Sequence, residues 1–131
     1  MIKISKMKQK LKELEKYLKI DLKKFNKDQI NEIELGILNG LTFDEIKFYA
    51  DYKFTSSQMR IIRFALKEKL SVDKIRFIAN EKFNDWEMDE LKTAFLDGLS
   101  LKDVKSFAKP GMGYKKLKNM RIKFLKKYGY I

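Results

Sequence analysis

Apolar residues along this chain follow two periods at once. Locally they recur every three or four residues, the spacing of one face of an α-helix. Over a longer range the whole pattern repeats every 29 residues without a gap, and such a period marks a repeat architecture. Phe25, Phe54, Phe83 and Met112 open the copies. Asn26, Thr55 and Asn84 come next, with Gln29, Gln58 and Glu87 three residues later. That pairing predicts a capping box at the start of a helix. The helix continues through Ile30, Ile33 and Ile37, through Met59, Ile62 and Leu66, and through Met88, Leu91 and Phe95. Gly40 and Gly98 predict its end in a left-handed turn, and Lys69 in the same place predicts a looser or strained one. Thr42, Ser71 and Ser100 then open a second helix of about eight residues, ending near Ala50, Ala79 and Ala108. Gly36, Ala65 and Ala94 are small where neighbours are large, which lets helices approach closely. No single copy buries its own apolar face, so the copies are expected to stack.

The flanks extend the pattern. Residues 4–24 read as one helix, with Ile4, Met7, Leu11, Leu14 and Leu18 on a heptad seam. The seam fits a helix that covers the first repeat, or a dimer through residues 4–18. At the other end Lys109-Pro110-Gly111 breaks the helix and loosens the joint. Leu117, Met120, Phe124 and Leu125 then repeat the first-helix stripe over Tyr114–Tyr128. The expected fold is all-α: stacked helical-hairpin repeats with N-terminal and C-terminal capping helices. Its divisions are a basic helix at 1–24, three repeats at 25–111, and a shortened fourth copy at 112–131.

Charge divides along the same lines. Residues 1–24 carry nine lysines against three acids, and residues 25–103 twelve cations against fifteen acids. Residues 104–131 carry nine cations and no acid, within an overall formal charge of +12. Two basic ends on a near-neutral body point to an anionic partner. With no Cys and no His, the chain lacks thiolate chemistry and the commonest general base and metal ligand. No apolar run approaches the ~20 residues of a membrane span. A cytoplasmic protein with no cofactor, no metal and no membrane contact is expected.

Candidate chemistry lies where the repeat's rules are broken. Lys115, Lys116, Lys118, Arg121, Lys123, Lys126 and Lys127 surround the last apolar stripe, and Tyr114, Tyr128 and Tyr130 flank it. Cations neutralise phosphates and aromatics stack on bases, so nucleic acid or a nucleoprotein is the expected partner. Lys47, Arg76 and Lys105 hold one position on successive second helices and predict a ladder of charge. Trp86 replaces polar residues of the other copies, beside Asp85, Glu87, Asp89 and Glu90, and suits a protein partner. Ala94-x-x-x-Gly98-Leu99-Ser100 resembles the first helix and turn of a helix-turn-helix unit, but Asp44, Glu45, Asp73 and Asp103 stand where a DNA reader needs basic groups. Glu45-Ile46-Lys47 and Glu90-Leu91-Lys92 superficially match the acid-x-Lys element of metal-dependent nucleases, with no partner acid at a telling spacing. No catalytic residues are assigned, and an enzyme is not expected.

Phe54, Gln58, Met59, Ile62, Ala65, Leu70, Ser71 and Ala79 carry one further signal. Their pattern resembles a tandem repeat of about 29 residues in poorly characterised proteins of Gram-positive anaerobes and their phages and mobile elements. The resemblance implies a helical-repeat fold and a mobile-element context, and it brings no active residues with it. It adds an alternative expectation: an inhibitor or adaptor, for example against a host defence, that docks on a host protein.

Overall fold

Asn26, Thr55 and Asn84 each cap a twelve-residue helix in the computed structural model, which describes residues 2–131. Met1, the first residue of the basic N-terminal segment, lies outside the described residues. The three helices are α2 (Lys27–Leu38), α4 (Ser56–Lys67) and α6 (Asp85–Leu96), numbered after α1 (Ile4–Leu18). Each cap side chain accepts from the N–H three residues on, whose own side chain accepts from the cap N–H. A cap of this kind contributes ~1 kcal/mol to its helix. Gly40, Lys69 and Gly98 all turn left-handed past the helix ends, with φ of 77°, 59° and 104°. For Lys69 that conformation costs ~1 kcal/mol, because its Cβ crowds the following carbonyl.

The second helices are α3 (Phe43–Ile46), α5 (Val72–Ile78) and α7 (Leu101–Phe107). Thr42 and Ser100 cap theirs through the side chain, whereas Ser71 makes no such bond. At four residues α3 is half the predicted length. Beyond Ile46 the N–H groups of Phe48 and Tyr49 bond three residues back, so the turn tightens. Tyr49 comes to lie wholly inside, where its hydroxyl donates to the Glu32 carbonyl at 2.9 Å. Gly36 on α2 leaves the space that hydroxyl fills.

The N-terminal segment departs from the expectation of one helix over residues 4–24. α1 stops at Leu18 because Lys19 turns left-handed at φ 57°. Asp21 then caps a separate three-residue 3-10 turn, Leu22–Lys24, and Glu15 accepts from the Leu22 N–H at 2.8 Å.

Packing follows chain order. α2 lies against α4, α4 against α6, and α6 against α8 (Tyr114–Lys127). α3 contacts α2, α5 contacts α4 and α6, and α7 contacts α6 and α8. The core between them is Ile33, Ile46, Met59, Ile62, Ile75, Ile78, Met88, Leu91, Leu99 and Val104. α1 lies on α2 and α3 and buries Met7 and Leu14 there. That seam is thus used within the chain, where Met7 and Leu14 are buried, Leu11 and Leu18 half-buried, and Ile4 exposed. Among the described residues there is no strand, and no helix is long and apolar enough to cross a membrane.

Candidate nucleic-acid interface

α8 is the most basic element, and two sets of polar contacts fix its position. The first joins each long helix to the junction before the next. Gln29 donates through Nε2 to the carbonyls of Tyr52 and Phe54, at 3.1 and 2.6 Å. Gln58 does the same to Glu81 and Phe83, at 3.1 and 2.6 Å. In the third copy the residue is Glu87, which has no proton to give. There the polarity is reversed: Gly111 and Gly113 donate their N–H groups to Glu87 Oε2 at 3.0 and 2.9 Å. Both glycines stand at positive φ, 89° and 87°, a backbone state that turns those N–H groups inward. Glu87 is only 1% exposed, and its charge also sits in the first turn of α6, where the helix dipole favours it. The Lys109-Pro110-Gly111 joint is therefore clamped rather than loose.

The second set is an arginine clamp. Arg63 on α4 is buried, with Nε on Glu32 Oε2 at 2.9 Å and Nη1 on Asn39 Oδ1 at 2.8 Å, both from α2 or its end. Arg121 on α8 repeats the arrangement with Glu90 at 3.0 Å and Asp97 at 2.9 Å. Its guanidinium is committed to α6, so it drops out of the set of cations free for phosphate. Between these two clamps, Lys92 instead pairs with Asp89 at 3.5 Å and lies over the Phe64 ring. Sequence reasoning missed Glu32, Asn39, Glu87, Glu90 and Asp97 as partners. A signal existed for four of them: Glu32/Glu90, Asn39/Asp97 and Arg63/Arg121 are each 58 residues apart, twice the basic period.

With Arg121 removed, six α8 cations remain: Lys115, Lys116, Lys118, Lys123, Lys126 and Lys127. All six are exposed, and among the described residues none reaches a carboxylate. Helical spacing puts Lys115, Lys118 and Lys126 on one side and Lys116, Lys123 and Lys127 on the other. The apolar edge between them, Leu117 and Leu125, is buried.

Exposed aromatics stand at both ends of this helix. Trp86 is 63% exposed, and its ring lies 5.5 Å from that of Tyr114, tilted by 35°. Tyr128 and Tyr130 form a similar pair, 5.6 Å apart and tilted by 36°. The acids around Trp86 are largely occupied: Glu87 by the glycines, Glu90 by Arg121, Asp89 by Lys92. The negative surface expected to accompany the indole is accordingly reduced.

The ladder is present in placement and diluted in charge. Lys47 and Arg76 line one open groove, and Arg76 and Lys105 line the next. Asp44, Asp51 and Asp73 share those grooves, and Arg76 lies 3.7 Å from Asp73. The nuclease-like pairs also have ordinary roles. Glu45 caps α3 through the Thr42 N–H, and Glu90 holds Arg121.

Comparison of the chain with protein-family models, with curated proteins and with solved structures returns no match.

Proposed function

We propose that this chain is a short array of stacked helical hairpins, with α1 and α8 covering its two ends, and that it binds nucleic acid or a nucleoprotein without catalysing a reaction. The observation that carries the reading is α8 itself: six exposed lysines with no carboxylate partner among the described residues, in a segment free of acids from residue 104 onward. Unpaired cations at this density attract phosphates by releasing condensed counterions. Lys47, Arg76 and Lys105 supply a weaker second face.

Fluorescence anisotropy with a labelled 20-nucleotide strand and its duplex, over a salt series, tests the reading. If the six lysines meet six phosphates, log Kobs falls against log salt with a slope of about −4 for the strand and about −5 for the duplex. Replacing Lys115, Lys116, Lys123 and Lys127 by Glu is expected to abolish binding, and unaltered affinity overturns the proposal. The exposed indole of Trp86 favours a second reading, docking on a host protein as a phage or mobile-element inhibitor or adaptor. It requires capture of that protein at salt that strips nucleic acid, and loss of capture in Trp86→Ala.

A further inference from the structure

We infer that the ligand of the α8 surface is single-stranded nucleic acid, bound without sequence preference, with the lysines on its phosphates and the two aromatic pairs on its unpaired bases. This rests on the nucleic-acid reading of α8 and narrows it.

Three observations point the same way. The aromatic pairs bracket the lysines along the helix: Tyr114 is its first residue and Tyr128 directly follows its last. Fourteen residues span about 21 Å. An unstacked strand is longer per nucleotide than the ~3.4 Å of a duplex strand, so it crosses that distance in fewer than about six nucleotides, with a lysine in reach of each phosphate. Next, the rings are exposed although each offers a large apolar face. Trp86 at 63%, Tyr128 at 43% and Tyr130 at 56% gain nothing from a duplex, whose base faces are already stacked inside. An unpaired base does offer a face, and every base has one, so stacking gives affinity without choosing a sequence. Finally, the amide and arginine side chains that read base edges are scarce on α8. Asn119 is the only amide side chain on α8, and a duplex reader needs several such groups or arginines along its groove helix. Arg121, the one arginine there, is held by Glu90 and Asp97.

Trp86 is the only tryptophan in the chain, so its fluorescence reports on this surface alone. The experiment titrates the protein with dT12 and with a 12-base-pair duplex at one low salt concentration. The expected result is at least tenfold tighter binding of dT12, with quenching of Trp86 emission as a base stacks on the indole. Trp86→Ala and Tyr130→Ala are each expected to weaken dT12 binding by roughly five- to a hundredfold. Tyr52→Ala removes an equally exposed ring far from α8 and is expected to leave it unaltered. Circular dichroism of each variant confirms that the fold is kept. Duplex binding equal to or tighter than dT12, with no quenching, overturns the single-strand inference and leaves the nucleic-acid reading standing. Failure of both ligands to bind overturns the two together.

Discussion

Gly36 and Tyr49 make a quantitative prediction about how this chain is built. A Cβ added at Gly36 falls under 3.0 Å from the Tyr49 hydroxyl oxygen, a distance real Cβ atoms do not keep. In Gly36→Ala the phenol must retreat, which breaks its 2.9 Å bond to the Glu32 carbonyl inside a fully buried site. An orphaned buried hydroxyl costs ~1–3 kcal/mol, and displacing a packed ring costs a similar amount. Alanine returns ~1 kcal/mol through its better helix propensity, so the net loss is about 1–5 kcal/mol. Tyr49→Phe alone loses one hydrogen bond, about 1 kcal/mol. In the double variant the nearest atoms to the new methyl are Ile46 Cγ1 at 3.2 Å and the former Tyr49 Cζ at 3.3 Å. Those give way by a few tenths of an ångström, so the double variant is expected within ~1 kcal/mol of the parent. The other copies agree: Ile78 and Phe107 lack the hydroxyl, and Ala65 and Ala94 stand where Gly36 does. Urea denaturation of the four proteins, followed by circular dichroism, measures the coupling, expected at about 1 kcal/mol or more. Simple additivity, with coupling below ~0.5 kcal/mol, would refute the idea that the hydroxyl is what excludes the methyl.

Three further predictions follow from single positions. Glu87→Gln points an amide donor at the N–H groups of Gly111 and Gly113, or withdraws an acceptor from Asn84, and is expected to cost ~2–4 kcal/mol in the same urea assay. Lys69→Gly relieves a left-handed lysine and is expected to stabilise by ~1 kcal/mol, read as a higher urea midpoint at unchanged slope. Burial pushes the Tyr49 hydroxyl far above its ordinary value of 10.0, so the folded state favours the neutral phenol. That contribution is fully present below about pH 10 and is lost as pH rises above it, by up to ~1.4 kcal/mol per pH unit, and Tyr49→Phe is expected to flatten this alkaline decline.

Local features were legible in the sequence because their causes are local. A capping box needs residues three apart, and Asn26, Thr55 and Asn84 form theirs as read. Left-handed helix ends at Gly40 and Gly98 follow from glycine alone. The end of α1 was not legible, because Lys19 takes the left-handed state without being glycine and Glu15 folds back to secure it. Nor was the fate of Arg121, since a run of cations looks alike whether or not Glu90 and Asp97 lie opposite one of them. In the capping box Glu87 is the equivalent of Gln29 and Gln58. The difference emerges only when the junction 24 to 26 residues later is seen to present donors instead of acceptors. At the candidate site, the sequence identified the lysines and aromatics but could not separate engaged from free charge or pair the rings.

The reversed polarity at Glu87 bears on how such a gene can change length. Tandem copies invite recombination between equivalent positions, which adds or deletes one unit. Gln58 and its carbonyl partners lie 23 and 25 residues apart, and Glu87 and its glycines 24 and 26, within a unit of 29. Most crossovers between the second and third copies therefore separate a side chain from its partners. A deletion product then faces a glutamine donor with the N–H groups of Gly111 and Gly113, and the reciprocal product faces a carboxylate with backbone carbonyls. Exchange between the first and second copies is silent at this contact, because both use glutamine against carbonyls. The two glycines on either side of Met112 thus tie the third unit to the segment after it, through the hydrogen bonds they donate to Glu87.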